Sequence, residues 1–230
     1  MHRCNRLRRR VLLGVLSCIA CSVARAQLSP LDAIPVYIVP LADFPEDLAS
    51  ALAKAMSQDL AIRVKASVRL PPLTINTLPG SNQLVAEDIL LQAENASARL
   101  PDMTPKTYRL FLTTKDINSR SANFRFQFTV HDMAHRCSVI SLARLLEYAD
   151  ERPVLTNRSL SRLLKLTKRA IGEMYLGWNR STDPGDLMFS PLMSLDDLDR
   201  IGSEHAENKN EKPEPPAPKA PAPKAPANSA

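Results

Sequence analysis

Tyr108-Arg109-Leu110-Phe111-Leu112-Thr113-Thr114, then Phe124-Arg125-Phe126-Gln127-Phe128-Thr129, then Cys137-Ser138-Val139-Ile140-Ser141 follow one another with short gaps. The first and third runs are apolar and β-prone, as strands covered on both faces are. The second alternates aromatic with polar residues, which gives a strand one aromatic face. A sheet therefore lies at the centre of the chain. Upstream, Ile34 to Leu41 reads as a buried first strand. Asp43 is placed to cap a helix over 44–60, with Pro45 in its first turn and Leu48, Leu52, Met56 and Leu60 at helical spacing. Ile62, Val64, Ala66, Val68 and Leu70 alternate with polar residues as a half-buried strand. After a proline-rich loop over 71–80, Ser81 is expected to cap a second helix over 81–96, with Leu84, Val85, Ile89 and Leu90 inward. Downstream, Leu160, Leu163, Leu164, Thr167, Ile171, Met174 and Tyr175 share one stripe of a long helix over 157–178. A turn-rich segment and a short helix over 194–201 follow. The acids of that helix, Asp196, Asp197 and Asp199, read as a solvated helix start, because the spacing of a calcium loop is absent. The order predicts an α/β (α+β) fold, a mixed sheet packed with helices. There is no internal repeat.

The ends read differently. The chain has 230 residues, 44% hydrophobic and 23% charged, which suits one packed domain with extensions. Residues 1–26 have the pattern of a bacterial signal peptide: arginines at 3, 6, 8, 9 and 10, an apolar run from Val11 to Val23, and Ala24-Arg25-Ala26 as a cleavage site. The apolar run is too short for a permanent span. Anchoring without cleavage, or acylation at Cys18 or Cys21, are the alternatives. The leader carries six of the 30 basic residues and no acid, so 24 basic and 24 acidic residues remain. The formal charge of +6 thus gives no nucleic-acid signal. Three of the four cysteines leave with it, and Cys137 remains as a small buried hydrophobe. From Glu204 the composition turns to Pro, Ala and Lys, a solvated spacer with nothing to bury. The expected division is leader 1–26, domain 27–203 and tail 204–230. The mature chain is expected to be secreted or periplasmic, monomeric and without a membrane span.

In Leu110 to Asp116, Asn123-Phe124-Arg125-Phe126 and Ser138 to Leu145, the chain resembles an archaemetzincin-type metallopeptidase. The shared features are a threonine–aspartate strand end, an Asn-Phe edge strand and a strand running into Arg144-Leu145. The resemblance extends to Gln83 and spans about 34–200. It implies a metzincin-like twisted sheet, a long active-site helix and a Met-turn. The helix of that family carries His-Glu-x-x-His-x-x-Gly-x-x-His: two histidines on one helical face hold zinc, the glutamate is general base, and the glycine lets the chain turn toward a third histidine. Gly177 falls on the motif glycine, and Met188 falls on the Met-turn methionine. The ligand positions fall on Ala170 and Met174 for the first two histidines, Ile171 for the base and Arg180 for the third histidine. Ala and Ile have no donor atom, Met offers only a weak thioether, and Arg is a fixed cation. A second, four-cysteine zinc site of the family would begin at Ser181 and Asp186, and no Cys-x-x-Cys follows.

These replacements lead to an exported, catalytically inactive metallopeptidase-like domain, a pseudoprotease without zinc or other cofactor. The resemblance leaves it an edge strand, Asn123 to Phe126, for binding a peptide or protein by strand addition. The alternative is an active zinc metallopeptidase using His131-Asp132-Met133-Ala134-His135, where two histidines four apart flank a carboxylate. Against it, the run lies between strands and no Gly-x-x-His follows. A third reading is an unrelated periplasmic α/β protein. No serine-hydrolase elbow, phosphate-binding glycine loop or Cys–His pair is present.

Overall fold

The computed structural model describes residues 33–121 and 124–206. The leader, Asn123 and residues 207–230 lie outside them. The elements run β1 (Val36–Pro40), α1 (Glu46–Leu60), β2 (Val64–Ala66), β3 (Leu84–Val85), α2 (Ala86–Ala96), β4 (Tyr108–Thr113), β5 (Ile117–Asn118), β6 (Thr129–Asp132), β7 (Cys137–Ser141), β8 (Glu147–Ala149), β9 (Arg152–Val154), α3 (Asn157–Ile171) and α4 (Leu195–Arg200). Five strands form one sheet in the order β2-β1-β4-β7-β6. The first four are parallel, and β6 pairs antiparallel with β7 along the edge. This is the mixed, metzincin-like α/β sheet that the sequence predicts.

The period of two divides the core. Val36 and Ile38 of β1, with Leu110 and Leu112 of β4, pack against Leu52 and Met56 of α1 and Leu163 and Leu166 of α3. Tyr37, Val39, Phe111 and Val139 point to the other face, onto Ile89 and Leu90 of α2. Helices thus cover both faces, which is why β1, β4 and β7 are buried throughout. Each such Leu, Ile or Phe contributes about 1.5–3 kcal/mol on burial. Among the described residues no helix is long and apolar enough to cross a membrane.

Several local expectations change. Asp43 does not cap α1, which starts behind Pro45 with no side-chain cap. Its carboxylate instead accepts hydrogen bonds from Thr113 Oγ1 at 2.8 Å and from Thr114 N and Oγ1, tying the β1–α1 loop to the end of β4. The strand over 62–70 pairs only across Val64–Ala66. Leu84 and Val85 join Ile117–Asn118 as a short parallel ladder, so α2 begins at Ala86 and Ser81 caps nothing. The aromatic run 124–128 is not a regular strand: Gln127 alone bridges Ile117, and β6 begins at Thr129. The β8–β9 hairpin was not legible, because its turn uses Asp150 and Glu151 at positive φ, 49° and 62°, instead of the usual Asn-Gly or Gly signal. The long helix is regular to Ile171, then widens into a π turn over Gly172–Leu176 that ends at Gly177 with φ 75°. Packing continues through Ala206, so residues 204–206 belong to the fold and not to the tail. Burial pushes the Cys137 thiol up to about 12, which keeps it protonated and inert.

Candidate functional site

A groove of about 700 Å³ runs between the segment Phe124–His131 and α3. Local chemistry holds each wall. On the strand side, Gln83 Nε2 donates to Arg125 O and to Asp116, Asn118 Nδ2 donates to Phe124 O, and Gln127 N donates to Ile117 O. Asp116 also pairs with Arg144, whose guanidinium stacks over the Phe126 ring at 4.8 Å. Side chains thus do here what a ladder does in a regular strand, and among the described residues the outer edge of β6 has no strand partner. On the helix side, Leu166, Arg169, Ala170 and Glu173 face the groove, one turn apart. Arg180 and Ser190–Met193 close its far side.

The centre of the groove is charged. Arg180 pairs with Glu173 at 2.9 Å, and His131 Nε2 lies 3.9 Å from the same carboxylate. His131 Nδ1 is hydrogen-bonded to Ser138 Oγ at 2.7 Å, which fixes the ring. Arg169 donates to Leu187 O and, at 2.8 Å, to Phe189 O, clamping the turn that holds Met188. Burial brings the Arg169 guanidinium down to about 10; Glu173 opposes this and Arg180 adds to it. The His131 imidazole is lowered by burial first, with Glu173 opposing and the two arginines adding to the drop.

The sequence-picked positions separate. Ala170 lines the groove at 1% exposure, and Arg180 lines its mouth. Ile171 and Met174 are buried in the core below. Met188 is buried with them, its N–H on Asp186 Oδ1 and its carbonyl on Ser181 N. Phe124, Arg125 and Phe126 line the opposite wall. His131 and His135 do not converge: the first sits on β6 and turns into the groove, while the second is exposed in the following turn and gives its Nδ1 proton to Asp132. On a strand-and-turn backbone, residues four apart do not share the face they share on a helix. Arg169 was missed; its only sequence signal is its place beside Ala170 on the helix.

Asp186, where the resemblance puts a ligand of a second metal site, is buried and taken. It accepts from His205 Nδ1 at 2.9 Å, Met188 N at 2.6 Å and Ala206 N at 2.9 Å.

Solved structures with this architecture include a zinc-dependent peptidase and two archaemetzincins. A zinc-dependent peptidase from Methanocorpusculum labreanum superposes with a TM-score of 0.61 at 20% identity, over 76% of this chain and 97% of its own. Archaemetzincin from Methanopyrus kandleri gives 0.56 at 19% identity, over 79% and 93%. Archaemetzincin from Archaeoglobus fulgidus, complexed with malonate, gives 0.54 at 22% identity, over 75% and 96%. These similarities define the chain by fold, as an archaemetzincin-like architecture. No family model and no curated protein matches its sequence.

Zinc, on which the peptidase from Methanocorpusculum labreanum depends, does not fit the side chains present here. The groove offers three guanidiniums, a carboxylate paired with one of them and one imidazole bonded to Ser138. Among the described residues no group of three or more His, Cys, Asp or Glu is placed to hold a metal ion.

Proposed function

We propose that the chain is a non-catalytic member of the archaemetzincin architecture that binds an extended peptide or protein segment in the groove, outside the cytoplasm once the leader is removed. The observation that carries this reading is the make-up of the groove: Ala170, the buried Met174 and the cation Arg180 stand where a metzincin needs histidines, beside a trough of about 700 Å³. Two large apolar side chains stand exposed on its opposite rims, Phe124 at 54% and Met193 at 59%. Such paired apolar rims suit an extended segment laid along the edge of β6, where main-chain groups supply affinity and the rims supply side-chain contacts.

The test is metal analysis and peptidase assay of the purified chain, with deuterium exchange over 124–132 in the presence of a peptide library. Expected are less than stoichiometric zinc, no chelator-sensitive cleavage, and protection of the β6 edge by bound peptides. One zinc per chain, lost together with peptidase activity on chelation, would refute the reading.

A further inference from the structure

The geometry points to an acidic side chain, Asp or Glu within an extended peptide, as the group the groove selects, seated over Ala170 between Arg169 and Arg180. This rests on the peptide-binding reading and adds its specificity.

Three arginines line the groove, Arg125, Arg169 and Arg180, against one carboxylate, Glu173. With His131 neutral, the trough carries two positive charges in excess. Glu173 makes its ion pair with Arg180, at 2.9 Å, and reaches Arg169 only through the weaker field of a charge that is not in contact. The Arg169 guanidinium meets backbone carbonyls and no carboxylate, and Arg125 enters no ion pair among the described residues. A half-buried cation without a counter-charge is costly, and an incoming carboxylate would remove that cost. Burial first, and a neighbouring arginine with it, holds the pKa of both Arg169 and His131 below the ordinary value. Ala170 lines the groove beside Arg169 and Glu173 with a methyl group only.

The groove also favours a side chain over a chain end. Its strand wall is lined by every residue from Phe124 to His131, more than a terminal carboxylate needs. A segment therefore passes along it, with Arg125 toward one end and His131 at the other. Arg180 can swing from Glu173 to the incoming carboxylate, because its side chain is 57% exposed.

The experiment is calorimetric titration of the full chain with blocked hexapeptides of alternating Val and Thr that carry one central Glu, Gln or Lys. A fourth peptide carries Gln and a free C-terminal carboxylate. The Glu peptide is expected to bind about tenfold tighter than the Gln peptide at low salt, with the gap closing as salt rises. Two variants move the gap in opposite directions: R180Q narrows it, and E173Q, which frees Arg180, widens it. A merely structural role for this pair would weaken binding in both variants. His131, followed by proton NMR, should titrate at higher pH when the Glu peptide is bound. Equal binding of Glu and Gln peptides, or preference for Lys, overturns the acidic assignment and leaves peptide binding standing. Tightest binding of the free-carboxylate peptide overturns the side-chain assignment in favour of a chain end. Binding of none of the four peptides, at either charge, removes the peptide-binding reading itself.

Discussion

At Asp186 a single carboxylate joins two stretches of chain, 186–188 and 205–206. It receives the Met188 and Ala206 N–H groups and the His205 Nδ1 proton, so one side chain holds the Met188 turn against the end of the fold. Burial alone would raise its pKa, but the hydrogen bonds from His205, Met188 and Ala206 outweigh burial and hold it below the ordinary carboxylate range. A pKa depressed in the folded state means that the stabilisation is fully present above the unfolded value, near 4, and is lost as pH falls through the folded one. Asp199, held down by Arg162 and Arg158, has the same sign. These two carboxylates should therefore make urea midpoints drop below about pH 4. Asp186→Asn should cost about 2 kcal/mol at pH 7, because it loses charge-assisted bonds, and it should lose less than the parent on acidification. Parallel pH profiles for the two proteins would show that Asp186 contributes nothing to acid sensitivity. This role is not legible in the sequence, where the resemblance marks Asp186 only as a failed ligand position.

Helix α3 shows what periodicity can and cannot reveal about an element. The apolar stripe names Leu163, Thr167 and Ile171 correctly, all three buried. It says nothing of Arg162 and Lys168, which are equally buried because Asp199 takes the one and Asp59 and Glu204 take the other. Pairing across elements cannot be read from one strip of sequence. The end of the helix is likewise hidden in the pattern: Gly172 looks like an isolated weak residue. In the structure a Cβ there would stand 2.1 Å from a ring carbon of Trp178. The indole therefore lies directly on the helix backbone, where it also meets the His205 ring at a centroid distance of 5.1 Å. Gly172→Ala would gain about 1 kcal/mol of helix propensity, but the ring must move, and overpacking of this kind costs about 1–3 kcal/mol. The clash wins because the neighbour is a rigid ring system in a filled site. The expected result is a lower thermal midpoint and a red-shifted emission, and Trp178 is the sole tryptophan, so the signal has one source. Unchanged emission would mean that the indole does not sit where the packing places it.

For the whole molecule, the sheet was legible because both β4 and β7 are apolar runs bounded by polar turns, a pattern that survives without knowledge of partners. The groove was half legible. Its helix side follows from aligning Gly177 and Met188, which puts Ala170 and Arg180 at the site. Its strand side does not follow, since the wall 124–128 is shaped by Gln83, Asn118 and Asp116, three side chains brought together from distant stretches. The closing segment was misjudged from composition: Glu204 and His205 resemble the polar chain that follows them, yet Glu204 O accepts from Leu187 N at 2.9 Å and His205 is buried against Trp178. Two truncations separate composition from contact. Ending the chain after Ala206 keeps every contact named here. Ending it after Ser203 removes the Lys168–Glu204 pair at 2.9 Å, the His205–Asp186 pair and the Leu187 bond, and leaves Lys168 with Asp59 alone. Stranding a buried carboxylate costs about 3–5 kcal/mol, a large share of the roughly 5–15 kcal/mol that holds a domain folded. The shorter protein should therefore unfold at a markedly lower urea concentration. It should also lose peptide affinity, because Asp186 and Arg169 hold the same turn from opposite sides and Arg169 lines the groove. Equal midpoints for the two truncations would place the end of the fold at Ser203 and remove the link between the closing segment and the site.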